Sequence, residues 1–383
     1  MKRLKNILVL NGGGLSPSLN PTLYGVASRA KKLHYKIFGG IGGWASLVQH
    51  GEIIDLTKLN IEIIKNRGGA LLRSSRTNPI KIPGGIDLLK EKIKKYQLDG
   101  LIAIGGDDTL MAAAKLHKDY QLPVIGLPKT VDNDLPLTYF APGFPTAAFY
   151  AAKLAAETKQ DSAYTYSRVY IIEMYGAMSG WLTCAAALGG ADIIIPPEWQ
   201  FDLGQIISLV KKKYEANGNY CVIAVSKETR IKGINGRPEQ QPDGFGNIRN
   251  EYVSLALQER IQSQLGLTTK IIIPMNYLQS GNPIKLDIEI GHKLGQAGVD
   301  LIKQQQTGQA VIITYANKKF SLKGVSLDHF MYKGENLDNS QFNRKTMQPT
   351  TKYLNYLNTL IGDFEFIDNE YQKLCRKIRG KSN

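Results

Sequence analysis

The sequence predicts an α/β protein built as two doubly wound domains, each a parallel sheet with helices on both faces. Short apolar runs alternate with helical patterns along most of the chain, which is how such sheets read. Its 383 residues amount to two domains, three at most, at about 150 residues each. Glycine-rich turns follow several apolar runs, and ligands in these folds bind where strands end in such turns.

Taken in order, residues 6–10 form a first buried strand. Their apolar stretch, Ile7 to Leu10, is too short for the core of a signal peptide and runs straight into Gly12, Gly13 and Gly14. Further strands are expected at 35–38, 100–104, 123–126, 168–173, 192–195, 220–225, 270–274 and 310–314. A helix follows the first glycine turn, and others are expected at 86–96, 109–116, 146–157, 179–188, 203–214, 251–265 and 286–303. Residues 230–249 are polar and rich in Gly and Pro, which reads as a long surface loop, and 340–351 reads as similarly irregular.

Composition narrows the function classes. Hydrophobic residues make up 43% and charged residues 21%, a globular balance that excludes wholesale disorder. Apolar runs fall well short of the ~20 residues a membrane span needs. Cys184, Cys221 and Cys375 are odd in number and far apart, so neither a disulfide framework nor a zinc spacing is expected, and the compartment is a reducing, cytoplasmic one. Lys and Arg total 48 against 33 Asp and Glu, giving a net charge of +15. That balance admits nucleic acid, an acidic membrane surface, an anionic small substrate or simply a solvated basic face. The local clusters are Lys211, Lys212 and Lys213, and the tail Lys373, Arg376, Lys377, Arg379 and Lys381. Neither comes with a nucleic-acid-binding signature, which disfavours that partner.

Four strand-end loops carry the chemistry. In 11–20, Gly12, Gly13 and Gly14 let backbone N–H groups approach an anion at a helix start, or else only close a βα unit. In 68–79, Arg73 and Arg76 stand among Ser74, Ser75 and Thr77, which suits bidentate phosphate contact or a solvated surface turn. In 104–110, Asp107 and Asp108 follow Gly105 and Gly106. Paired carboxylates without histidine suit a hard cation such as Mg²⁺ that bridges phosphate oxygens, although Asp108 or Thr109 would also serve as a helix cap. In 127–134, Lys129, Thr130, Asp132 and Asp134 share one turn: the lysine can neutralise a transferring phosphoryl group and a carboxylate can take a hydroxyl proton. Together the loops make an inventory for phosphoryl transfer.

These residues resemble the phosphofructokinase family over about residues 6–302, and more closely its pyrophosphate-dependent branch. ATP-using members carry glycine where this chain has Asp108 and Lys129. Asp108 would fill and repel the space of an ATP α-phosphate, while Lys129 would pair with Asp108 or reach pyrophosphate. The resemblance implies a phosphoryl-donor domain at 1–141 plus about 281–313, an acceptor domain at 142–280 plus about 314–383, and an active site in the cleft between them. It implies Mg²⁺ at Asp107 and a general base at Asp132, with Thr130 and Asp134 orienting base and acceptor. Donor phosphates would meet Gly13, Arg76, Asp108 and Lys129. The acceptor would meet Thr130, Asp132, Arg168, Tyr175, Gly176, Lys227, Lys270 and Tyr277. Arg168 and Lys270 match positions that serve a neighbouring subunit's site, which implies a homodimer or homotetramer. The implied reaction is a Mg²⁺-dependent transfer from pyrophosphate to a sugar-phosphate hydroxyl, by default fructose 6-phosphate to fructose 1,6-bisphosphate.

The acceptor side departs from the family pattern. Ala177 and Ser280 stand where the family has arginines, and Lys227 where it has a glutamate, unless Glu228 takes that role. Leu15, Ser16, Pro17 and Ser18 replace the usual Asp-Ala-Pro-Gly, and Arg73 replaces a glycine. A charge-stabilising arginine can be worth ~10³–10⁵ in rate. Two outcomes are therefore expected: compensation by Lys227, Arg73 or the 230–249 loop, or a different acceptor. The alternative is a non-catalytic paralogue that binds an anionic metabolite or a relative.

Overall fold

Strands Asn6–Asn11 and Gly100–Gly105 are buried along nearly their whole length, because continuous apolar runs face protein on both sides of a sheet. The computed structural model describes residues 5–49, 51–234, 237–238, 250–332, 334–362 and 369–379. The chain forms two compact units. The described residues of the first fall within Met1–Thr146 and Gln279–Glu335, those of the second within Ala147–Gln241, Ile248–Leu278 and Asn336–Asn383.

The first unit holds a seven-stranded sheet. From one edge its order is Lys319–Ser326, Gln309–Ala316, Val124–Pro128, Gly100–Gly105, Asn6–Asn11, Lys36–Gly40 and Ile53–Asp55. The five inner strands run parallel and the two edge strands antiparallel. Alternate residues feed two cores: Leu8, Leu10, Leu101 and Ala103 enter one, and Ile7, Val9, Ile102 and Ile104 the other. Each fully buried Leu or Ile contributes about 1.5–3 kcal/mol, so these strands are the rigid base of the loops at their carboxyl ends. Helix Lys285–Lys303 joins this unit through helix Leu19–Lys32. The two backbones meet so closely that a Cβ at Gly295 would lie 2.2 Å from Thr22 O. The return segment is expected to end near 313, but a hairpin carries the sheet on through Lys319–Ser326. That strand is an edge strand whose residues are exposed or half-buried, and its polar half masks it in the sequence.

The second unit holds a four-stranded parallel sheet in the order Thr269–Ile272, Val169–Met174, Cys221–Ser226 and Ile193–Ile195. All four lie where apolar runs place them. Helix Trp181–Ala185 is shorter than the expected 179–188 and passes into a tighter turn at Ala186–Gly189. Within the stretch read as irregular, Phe342–Asn343 and Gln348–Pro349 pair as a small hairpin. Of the loop expected at 230–249, Arg230–Lys232 pairs with Gln200–Asp202, while 235–236 and 239–249 lie outside the described residues. Cys184 and Cys221 are buried free thiols.

Candidate active site

The carboxyl ends of three adjacent strands, Asn6–Asn11, Gly100–Gly105 and Val124–Pro128, bring the predicted donor residues together. Thr109, fully buried, wedges between two of the turns: a Cβ at Gly12 would come 2.3 Å from Thr109 Oγ1, and one at Gly105 equally near its Cβ. Glycine at both positions is therefore a packing requirement. The N–H of Gly12 donates to Ile104 O (2.8 Å) and that of Gly13 to Ser75 O (3.2 Å). Those two N–H groups thus bind the loops to one another instead of facing an anion. Ser74 Oγ donates to Gly13 O (2.7 Å) and Ser75 Oγ to Gly42 O (2.6 Å), fastening the arginine loop to the glycine turn. Arg76 is partly exposed beside this seam, and Arg73 holds φ +54°, a left-handed conformation natural to the glycine it replaces.

Helix Asp107–Tyr120 is capped by Gly106, so Asp107 and Asp108 occupy its first turn, where the helix dipole favours carboxylates. The next turn is stitched to this one. Lys129 N–H donates to Gly105 O (2.9 Å), Thr130 N–H to Pro142 O (3.2 Å) and Asp132 N–H to Thr130 Oγ1 (3.1 Å). Asn133, at φ +58°, accepts from Ala141 N–H (2.9 Å) and pins the far end.

Lys129 is the electrostatic centre. It is buried, and Nζ donates to Gly14 O at 2.6 Å. Burial pulls its pKa down to about 8, opposed by Asp132 and Asp107 and aided by Arg76. The Asp134 carboxyl is pushed well above the usual carboxylate range, first by burial, then by Asp132, Asp107 and Asp108. Burial and the charge of three neighbouring carboxylates thus both favour the protonated form of Asp134. Among the described residues, no group of three or more His, Cys, Asp or Glu is arranged to hold a metal by itself. One or two carboxylates completed by substrate phosphates and water is the usual Mg²⁺ environment, and the hard oxygen donors here fit it.

The second unit's predicted residues fall into two groups. Tyr175, Gly176 and Lys227 stand at the carboxyl ends of strands Val169–Met174 and Cys221–Ser226. Arg168 and Lys270 stand at the opposite end of the same sheet. The Arg168 guanidinium lies 4.0 Å over the Tyr166 ring, with Nε 3.5 Å from Asp161 Oδ2, and Lys270 is exposed. Lys227 therefore does not share a recess with Arg168 and Lys270. Ala177 adopts φ +48° and Gly176 φ +150° in the turn after Tyr175. Tyr277 is exposed and meets Tyr150 edge-on at 5.8 Å.

Asp287 is a site-supporting residue that the sequence pattern does not single out. It is fully buried and accepts from Gly143 N–H (2.7 Å), Thr146 N–H (2.9 Å) and Thr146 Oγ1. It so anchors the Gly143–Thr146 segment, next to Pro142 on which Thr130 N–H rests, and its one signal is a lone acid in the first turn of an apolar-faced helix. Burial raises its pKa to about 6. The folded state then binds the extra proton between about pH 4 and pH 6, so this group's stabilisation is complete below pH 4 and is lost as pH rises through 6. A rise of that size corresponds to about 3 kcal/mol. The melting-temperature difference between the parent and Asp287→Asn should shrink from pH 4 to pH 7; parallel curves would contradict this.

The model of the family described as "Phosphofructokinase" matches residues 6–302. A pyrophosphate–fructose 6-phosphate 1-phosphotransferase of Dictyoglomus thermophilum is 37% identical over 308 residues, covering 80% of this chain and 88% of that one. An ATP-dependent 6-phosphofructokinase of Halothermothrix orenii is 30% identical over 319 residues, covering 82% and 91%. The crystal structure of a pyrophosphate-dependent phosphofructokinase from Marinobacter aquaeolei shares the fold, with a TM-score of 0.82 at 22% identity over 96% of this chain and 94% of that one. Among the described residues, no helix is long and apolar enough to cross a membrane.

Proposed function

The chain belongs to the phosphofructokinase family of phosphoryl-transferring enzymes, and from that premise we propose that it moves a phosphoryl group from pyrophosphate to a sugar-phosphate hydroxyl, with fructose 6-phosphate the first candidate. The observation that carries this reading is the mutual electrostatic coupling of Lys129, Asp107, Asp132 and Asp134 at the ends of two consecutive strands, with Asp108 and the loop residue Arg76 inside the same field. A carboxylate at 108 repels a nucleotide's α-phosphate, whereas a diphosphate ends short of it. Relatives named for pyrophosphate and for ATP both match, so the donor rests on Asp108 and Lys129.

In this reading Asp132 accepts the proton of the acceptor hydroxyl as its oxygen bonds to phosphorus, and the bridging P–O bond breaks to release inorganic phosphate. Asp134, protonated, keeps a second negative charge away from the base and donates a hydrogen bond. Lys129 and Arg76 balance the donor charge, and Thr130 orients the base through its bond to Asp132 N–H. Asp107 would hold Mg²⁺, which neutralises phosphate charge when bound. Tyr175, Gly176, Lys227 and Tyr277 are assigned to the acceptor, and Arg168 and Lys270 to the acceptor phosphate of a neighbouring copy, so the working unit is a homodimer or larger.

The test is formation of the phosphorylated acceptor from Mg-pyrophosphate, with phosphate released, and separately from Mg-ATP, with ADP released, across a panel of sugar phosphates. Turnover is expected with pyrophosphate. Turnover with ATP alone would overturn the donor assignment.

A further inference from the structure

Lys227 follows strand Cys221–Ser226, and its N–H donates to Met174 O (3.0 Å) at the end of the neighbouring parallel strand. This is the ligand-binding edge of such a sheet. The residue is only 5% exposed, and Nζ lies 4.6 Å over the Tyr175 ring. Together with Tyr175, Glu173, Tyr252 and Met275 it lines a narrow recess of about 10 Å³, room for one oxygen atom of a ligand. The Glu173 carboxylate is engaged there by three donors, Tyr252 N–H (3.3 Å), Ser254 N–H (2.9 Å) and Ser254 Oγ (2.6 Å), as a brace for helix Val253–Leu265. Glu228 Oε1 lies 3.9 Å from Lys227 Nζ, yet Glu228 is not among the residues lining the recess. Of this buried pair, Lys227 is the member that lines the recess.

From this arrangement we infer that Lys227, with Tyr175, selects an acceptor that places an anionic oxygen here, a carboxylate or a second phosphate, in addition to the phosphate assigned to Arg168 and Lys270. The inference rests on the reading that the second unit binds the acceptor, and it narrows that acceptor's class. An ammonium group only donates, so its ligand must accept. In a desolvated recess an anion gains far more from it than a neutral hydroxyl does. Glu228 is not among the residues lining the recess, and the Glu173 carboxylate that is there is already engaged by three donors.

Calorimetric titration of the full chain at physiological salt tests this with fructose 6-phosphate, 6-phosphogluconate and glucose 1,6-bisphosphate. At least one of the two doubly anionic compounds should bind about tenfold or more tightly than fructose 6-phosphate, and which one does so identifies carboxylate or phosphate. The double variant Lys227→Met, Glu228→Gln removes both charges of the buried pair and should abolish that preference. Its pyrophosphate affinity serves as the control for folding. Equal affinity for all three compounds, binding of none, or a preference that survives in the variant would overturn the inference. Loss of pyrophosphate binding or turnover in the parent protein is a separate result and would count against the proposed function instead.

Discussion

Asp132→Asn should lower turnover by about 10²–10⁴ while the affinity for pyrophosphate stays within about twofold. The change is isosteric, so the hydrogen bond from Asp132 N–H to Thr130 Oγ1 and the pinning of Asn133 by Ala141 are retained. What disappears is a group able to take the hydroxyl proton. Asp134 is not expected to replace it, because burial and its carboxylate neighbours favour its protonated form. Removing one negative charge should also let Asp134 titrate lower. Steady-state rates and pyrophosphate titrations on the same preparation would decide. A turnover within tenfold of the parent would remove Asp132 from the base role, and an inactive parent would favour a binding paralogue.

Lys129→Met should lower kcat/KM for the phosphoryl donor by about 10²–10³, the loss typical of one preorganised charge or donor aimed at developing negative charge. Lys129→Arg keeps the charge and should recover part of it. The pH profile separates electrostatics from packing. The free-enzyme pKa of about 8 means that Lys129 loses its proton as pH rises through 8. Donor kcat/KM should therefore fall about tenfold per pH unit above that point, and the limb should move out of range in the arginine variant. A parent profile flat to pH 10 would show that the Lys129 charge is not used. Because Lys129 is buried beside Asp132 and Asp107, the methionine variant should also melt earlier, which makes the arginine comparison necessary.

Much of this is legible in the sequence because parallel strands buried on both faces write continuous apolar runs, and ligand loops must follow them. Asp107, Asp108, Lys129, Asp132 and Asp134 stand out in the sequence because two consecutive strand-end turns each gather charged side chains. Tertiary packing is harder to read. Gly12 and Gly13 look like part of an anion cradle in sequence, yet Thr109 packs against the first and the N–H of the second donates to Ser75 O. Asp287 looks like a helix-start acid, yet it braces a loop some 140 residues away in sequence. The Lys319–Ser326 strand alternates half-exposed residues and carries little apolar signal. Whether Lys227 or Glu228 lines the recess is a side-chain question that one sequence does not pose sharply.

A crystal structure with Mg²⁺ and imidodiphosphate, a non-hydrolysable stand-in for pyrophosphate, tests the central claim most directly. The account predicts the diphosphate against Arg76 and Lys129, with the metal between it and Asp107 and with Asp132 facing the outer phosphorus. Diphosphate bound elsewhere, or an ATP analogue seated with its α-phosphate beside Asp108, would contradict it.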